Sequence, residues 1–289
     1  MKDLKKPYEI ATKANFGTLY LNKYKNIYKK YGVIIFRNFF YKDEIFFKFY
    51  EELKSLVLII AKKNKIKVSP DLNLDELITV VSKTHRKEIG KLYDLGTRPM
   101  KLLSGIQLKI HPGILKILNG ISDNKNIMAN PYLGETLHIF PPGKENFQYN
   151  LPMHQDYPYL MQSPDQITVY INLGKLASFG NGGIRAWLGS HKFGISDVKK
   201  NKLKLFETKN SGYFKKKYLA KEFHFEKGDL AIFNSLMQHE GIQNHSTSTR
   251  IVQLVRYSNL LNKDSISYYW QSKEEDKKRK SIRFKDIHF

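Results

Sequence analysis

The sequence contains no cysteine. That absence excludes disulfides, zinc ribbons, iron–sulfur ligation and thiol nucleophiles. Any metal must therefore be held by histidine, carboxylate or backbone oxygen. Long apolar runs are also missing: the stretches at 33–36 and 56–61 fall far short of the ~20 residues a membrane-spanning helix requires. The opening Met1-Lys-Asp-Leu-Lys-Lys-Pro7 lacks the apolar core of a secretion signal, so a cytoplasmic protein without a membrane association is expected. No tract has the composition of a linker between independent units. With 289 residues and 41% hydrophobic content, the expectation is a single domain over 1–289.

Acidic residues are the remaining scarcity. Only 27 Asp and Glu face 49 Lys and Arg, for a formal net charge of +22. Such a surplus is compatible with nucleic acid, an anionic membrane surface or an anionic substrate. The lysines are scattered, however, with denser clusters at 199–204, 215–217 and 277–280. No helix-turn-helix, zinc-finger or RNP signature accompanies them. We read the charge as compositional rather than as a nucleic-acid interface, and the expected partner is a small molecule.

What is present divides the chain in two. Residues 19–31 carry Leu19, Tyr20, Tyr24, Ile27, Tyr28 and Tyr31 at helical spacing, and Gly32 can end that helix. Val33-Ile-Ile-Phe36 is a short β-branched run. Asp43 stands at an N-cap position before an apolar face of Phe46, Phe49, Leu53, Leu56 and Ile60. A further helical stretch follows Asp75. From about residue 130 short strand-like runs at 135–140, 166–173, 183–188, 223–225, 230–233 and 250–257 alternate with turn signals such as Pro141-Pro-Gly143 and Lys227-Gly228-Asp229. The fold class expected is mainly β with a helical layer: helices over about 1–128, a barrel or jelly-roll core over about 129–260, and a charged tail at 261–289.

Three segments carry chemistry. In Met153-His154-Gln155-Asp156, extended backbone would place His154 and Asp156 on one face, offering an imidazole nitrogen and a carboxylate oxygen to one point. Alone this is a weak signal, since a hydrogen-bonded loop pair reads the same way. In the segment from Lys227 to His239, a turn feeds an apolar strand that delivers His239 at its end. Two histidines and one carboxylate make the facial triad that leaves half of an iron octahedron open. Finally, Arg250 opens the apolar strand Ile251-Val-Gln-Leu-Val255, where a guanidinium is costly unless it meets an anion. That anion is either a carboxylate ligand, held by a charge-assisted fork, or a protein acid such as Asp229 or Glu240.

The set His154-x-Asp156, Trp187-Leu-Gly-Ser-His-Lys192, Gly228-Asp229, His239 and Arg250 resembles the phytanoyl-CoA dioxygenase family of iron(II)/2-oxoglutarate oxygenases. Tyr31-Gly-Val-Ile-Ile-Phe-Arg-Asn38 with Asp43-Glu44 is similar to the usual opening of that family. The resemblance runs over roughly residues 27–258. It implies a double-stranded β-helix (jelly-roll, cupin-like) core, with iron(II) held by His154, Asp156 and His239. It also implies that Arg250 grips the distal carboxylate of 2-oxoglutarate. The implied reaction consumes dioxygen, releases succinate and carbon dioxide, and hydroxylates a small-molecule substrate. Gln155, Thr168, Tyr170 and Ser246 are candidate further contacts to the co-substrate, though each also suits strand packing.

Gly189-Ser-His-Lys192 matches a structural turn of the family, so His191 is not expected to be a ligand. Leu188 stands where the family usually has proline. Related halogenases lack the carboxylate ligand, so the presence of Asp156 favours hydroxylation. Tyr157, Pro158, Tyr159 and Leu160 are candidates for the pocket mouth. The basic segments 83–97 and 199–218, with Arg86, Lys87, Lys91 and Lys215–Lys217, would suit an anionic substrate and equally a solvated surface. The alternative function is a non-catalytic or differently metallated jelly-roll protein acting as a binding module.

Overall fold

The computed structural model of the chain describes residues 6–10, 17–94, 102–122, 127–129, 135–142, 151–157, 163–178, 180–201, 206–259 and 261–262. Expectations for Pro158, Tyr159, Leu160, the side chains of Arg86, Lys87 and Lys91, and the tail beyond 262 lie outside the described residues.

Helix α1 (Thr18–Tyr31) ends where Gly32 takes φ 78° and donates its N–H to the Tyr28 carbonyl at 2.8 Å. An L side chain rarely adopts that conformation, so glycine stops the helix. Asp43 caps α2 (Glu44–Lys63) by accepting from Phe46 N at 2.8 Å, satisfying one of the free N–H groups of the first turn. The α2 face that carries Phe46, Phe49, Leu53 and Val57 is buried, each side chain contributing about 1.5–3 kcal/mol. In α3 (Leu74–Asp94), Leu77, Ile78 and Val81 are buried as their spacing predicts.

Two helices that the sequence reading passed over follow: α4 (Leu103–Lys109) and α5 (Pro112–Ile121). Their signals are modest, namely Pro112 in the first turn and His111 before it. The His111 ring accepts from Gly113 N at 3.2 Å and meets Asp43 Oδ2 at 2.9 Å, so one imidazole ties the starts of α2 and α5 together.

Strand β1 (Glu9–Ile10) pairs parallel with β2 (Val33–Phe36), and the other pairings among the described residues are antiparallel. The remaining strands are β3 (Ile127–Ala129), β4 (Glu135–Phe140), β5 (Ile167–Asn172), β6 (Leu176–Ala177), β7 (Ile184–Trp187), β8 (Val198–Lys200), β9 (Phe206–Thr208), β10 (Ala220–Glu222), β11 (Phe225–Glu226), β12 (Leu230–Asn234), β13 (His239–Gly241) and β14 (Arg250–Asn259). Helix α6 (Ser211–Lys217) sits between β9 and β10. The expected strand at 223–225 divides into β10 and β11 on either side of Phe223-His224.

The seven-stranded sheet runs β1-β2-β12-β5-β14-β3, with β4 sharing the β14 edge, and a three-stranded sheet runs β10-β7-β13. Alternation across the large sheet sorts its side chains. Ile34, Phe36, Val169, Ile171, Leu230, Ile232, Ile251 and Val255 join the helices in one core. Val33, Ile35, Tyr170, Ala231, Phe233, Val252 and Leu254 face Ala186, Phe223 and Phe225 in a second core between the sheets. The helices therefore close the outer face of the large sheet, and the chemistry lies on its inner face. No helix among the described residues is long and apolar enough to cross a membrane.

Candidate metal centre

His154 and His239 form an isolated antiparallel bridge, with His154 N donating to His239 O at 2.9 Å and His239 N to His154 O at 3.0 Å. The segment around His154 is thus a single extended bridge residue and not a regular strand; Asp156 follows in a bend. His239 opens β13 instead of closing the strand before it. The bridge also receives support from the Gly189-Ser-His-Lys192 turn, where Ser190 Oγ accepts from Gln238 N at 2.9 Å.

Each ring is oriented by the chain two residues upstream. His154 Nδ1 lies 2.7 Å from Pro152 O, and His239 Nδ1 lies 3.0 Å from Met237 O. With Nδ1–H donated to a carbonyl, the lone pair of each ring sits on Nε2. One ligand atom from each of His154, Asp156 and His239 falls within 4.8 Å of the others. An ion bonded at about 2.0–2.2 Å closes that spacing with small side-chain movements. Burial, reinforced by His239, pushes the His154 imidazole down to about 3, so it is the neutral ligand form at ordinary pH. Burial alone would raise the Asp156 carboxyl; Arg256, the two histidines and the Thr168 hydroxyl outweigh it and hold the group well below the usual carboxylate range. Two imidazole nitrogens and one carboxylate converge, with His154 and Asp156 buried and His239 partly so, and the set fits a divalent cation.

Arg250 meets neither acid that could have paired it. Asp229 is engaged by Arg37 at 2.6 Å and by Asn38 N at 2.7 Å, and Glu240 by Arg185 at 2.7 Å. The Arg250 guanidinium is buried, stands 3.6 Å from the centroid of the Phe140 ring, and leaves Nε and Nη1 without a hydrogen bond. Burial lowers its pKa, opposed only by the Tyr170 hydroxyl. Orphaned donors on a buried cation are costly, and a ligand carboxylate would satisfy them.

The other predicted contacts separate. Thr168 lies at the triad, donating to Asp156 Oδ2 at 2.6 Å, and Tyr170 lies beside Arg250. Gln155 spends its amide on backbone: it donates to Gly194 O at 2.8 Å and Leu236 O at 2.6 Å and accepts from Ser196 N at 2.9 Å. Ser246 bonds Asn244 Oδ1 at 2.8 Å within its own turn. His191 packs on Gly32 and reaches Lys29 O at 3.2 Å, away from the triad.

Two inward-facing residues escaped the sequence reading. His138 of β4 lies opposite Val252, and its imidazole is pushed down to about 3 by burial and then by Arg256 and Arg250. Arg256 of β14 reaches Asp156 Oδ1 at 3.4 Å. The available signal was parity: Arg250 and Arg256 share a face of one strand whose other residues are largely apolar. Cleft size gave no guidance, since a surface cleft of about 470 Å³ bounded by Tyr50, Asp75, Lys175 and Lys227 contains no triad member.

No curated protein matches the sequence. Solved structures do match. The epimerase SnoN, in complex with Fe3+, alpha ketoglutarate and nogalamycin RO, is 12% identical, covering 84% of this chain and 85% of that one with a TM-score of 0.54. AviO1 from Streptomyces viridochromogenes Tue57 is 12% identical over 86% of this chain and 98% of that one, also with a TM-score of 0.54. The non-heme monooxygenase ThoJ is 18% identical, but only 55% of this chain and 56% of that chain are covered, with a TM-score of 0.42. At these identities the first two likenesses concern the fold. The sequence model for phytanoyl-CoA dioxygenase matches residues 28–252, a stretch that holds the triad and Arg250, and the chain belongs to the phytanoyl-CoA dioxygenase (PhyH) family.

Proposed function

We propose that this protein is an iron(II)- and 2-oxoglutarate-dependent dioxygenase that hydroxylates a small-molecule substrate. His154, Asp156 and His239 hold the metal, and Arg250 grips the distal carboxylate of the co-substrate. The two facing sheets form a double-stranded β-helix, and the helical layer belongs to the same domain because its core is continuous with the outer face of the large sheet. The observation that carries the reading is Arg250: a buried cation whose Nε and Nη1 are unbonded, on the inner face of the sheet and, among the described residues, with no acid to pair it. A facial triad alone would suit many metal proteins, whereas the orphaned guanidinium asks for a carboxylate ligand in the same cavity.

When bound, iron and 2-oxoglutarate supply the oxidation of a substrate C–H bond, coupled to conversion of the co-substrate to succinate and carbon dioxide. The chain provides placement. Pro152 O and Met237 O fix the two imidazoles, and Thr168 fixes the Asp156 carboxylate. The Phe140 ring lies against the Arg250 guanidinium, 3.6 Å from Cζ to the ring centroid, and helps to fix it in place. Val252, Leu254 and Phe233 keep the surroundings apolar, which strengthens each charge-assisted contact by excluding water. Asp156 would fill the third protein ligand position, the place that a halide would need, which favours hydroxylation.

Anaerobic titration of the metal-free protein with iron(II), then 2-oxoglutarate, tests this. A weak visible charge-transfer band should appear on adding 2-oxoglutarate. It should be lost in His239→Ala and should need far more 2-oxoglutarate in Arg250→Gln. Iron binding without any band would sink the assignment.

A further inference from the structure

The inner face of the large sheet carries a second buried arginine, Arg256, which touches the Asp156 carboxylate at 3.4 Å but is only loosely engaged by it. Arg256 is 8% exposed, and its Nε has no hydrogen bond. Its register partner is Thr168, on the triad side of the sheet, whereas Arg250 aligns with Phe140. The Arg256 side chain therefore points at the metal centre from the end of the strand opposite Arg250. Among the described residues its acidic neighbour is Asp156, with Oδ1 at 3.4 Å, long for a charge-assisted contact, which runs at about 2.7–2.9 Å. That same oxygen is the one nearest His239 Nε2, at 3.8 Å, so a bound metal would claim it.

Charge balance sharpens the point. Among the described residues the buried acids are Asp75, Asp156 and Asp229. Asp229 is held by Arg37, and Asp75 accepts from Lys175 N at 3.4 Å. Asp156 is thus the one buried carboxylate set against two guanidiniums, while His138, neutral between them, adds no charge. A divalent metal and a dianionic co-substrate cancel each other. Asp156 then offsets one arginine, and among the described residues one buried positive charge is left without a counter-charge, which is costly.

We propose that Arg256 is a substrate-binding residue that receives a singly charged anionic group, such as a carboxylate, so that the substrate class is a small organic anion. This rests on the dioxygenase reading above and adds a site to it. Arg256 also lies beyond residue 252, where the family match ends.

The test uses the full-length protein, loaded anaerobically with iron(II) and 2-oxoglutarate, with acetate and acetamide as probes followed by calorimetry. Acetate should bind at least tenfold more tightly than acetamide. Arg256→Gln should erase that difference when both proteins are compared at saturating iron(II) and 2-oxoglutarate, saturation being read for each from its own visible band, since Arg256 also touches the Asp156 carboxylate. Arg256→Lys, which keeps a charge but not the planar fork, should retain part of the preference, and the wild-type comparison needs no variant at all. Equal binding of acetate and acetamide overturns the proposal. So does acetate binding that survives Arg256→Gln, because the anion then sits elsewhere, for instance on the metal. Loss of 2-oxoglutarate affinity in Arg256→Gln as large as in Arg250→Gln also overturns it, because Arg256 would then serve the co-substrate. If the wild type gives no band, the dioxygenase reading fails and takes this inference with it; an intact band without acetate discrimination removes this inference alone.

Discussion

The Thr168 hydroxyl donates to Oδ2 of Asp156 at 2.6 Å, which turns Oδ1 toward His239 Nε2, 3.8 Å away. A carboxylate with one oxygen tethered presents the other in a fixed direction, and such tethers set metal affinity. Thr168→Val keeps the shape of the side chain and deletes the donor. The expected result is a 10–100-fold loss of iron(II) affinity, measured by competition with a chromophoric chelator, with Thr168→Ser close to wild type. Unchanged affinity in the valine variant would mean that Arg256 alone orients the carboxylate.

Arg250 should cost stability while it serves binding. Its guanidinium is buried beside Phe140 with two N–H groups unbonded, and an uncompensated buried charge is destabilising. Arg250→Met fills a similar volume without the charge. The ligand-free variant should be more stable than wild type by about 1–4 kcal/mol, and 2-oxoglutarate should no longer raise its melting temperature beyond the rise that iron(II) alone gives. A melting temperature that falls in the ligand-free variant would show that Arg250 already has an anion in the resting protein.

Much of this was legible before any coordinates, for identifiable reasons. Gly32, Asp43 and the β-branched run at 33–36 obey local rules, and the structure places the α1 end, the α2 cap and β2 where those rules put them. That His154, Asp156 and His239 converge was legible because the residue types able to ligate a metal are so few. Arg256 and His138 were not, because their meaning is a property of register: only pairing Arg256 with Thr168 and Val252 with His138 puts them on the same wall of the cavity. The strand expected over 154–156 is not there; His154 is a single bridge residue and Asp156 lies in a bend, which together achieve the convergence that a strand would have given. Helices α4 and α5 were missed because their short apolar stripes make sense only against Leu21, Phe39 and the rest of the outer core.

Acid should unfold the metal-free protein earlier than its carboxylates alone would dictate. Burial moves the His154 imidazole from its ordinary 6.5 down to about 3. In the unfolded chain the same group takes a proton as pH falls through 6.5, so the unfolded state binds more protons throughout that window. Stability is therefore fully present above about pH 6.5 and is lost as pH falls toward 3, at up to ~1.4 kcal/mol per unit for this one group. His154→Gln removes the titration but keeps a polar side chain. Urea midpoints of the metal-free proteins, taken from pH 7 to pH 5, should fall less steeply in the variant, by about 2 kcal/mol over that range. Parallel curves would mean that His154 is solvated and protonates normally in the folded state.

Gly32 and His191 form the last testable pair. A Cβ at Gly32 would lie 2.5 Å from His191 Nδ1, and the residue has φ +78°. Gly32→Ala thus incurs two separable costs, about 1–2 kcal/mol for left-handed backbone and a further steric term against the imidazole. His191→Ala removes the second but not the first. In a double-mutant cycle the two substitutions should therefore couple favourably, with the double variant more stable than the sum of the single effects predicts. The same His191→Ala protein should bind iron(II) as wild type does, because His191 reaches Lys29 O rather than the triad. A drop in iron affinity in that variant would make the 189–192 turn part of the metal site's support, transmitted through Ser190 and the Gln238 backbone to His239.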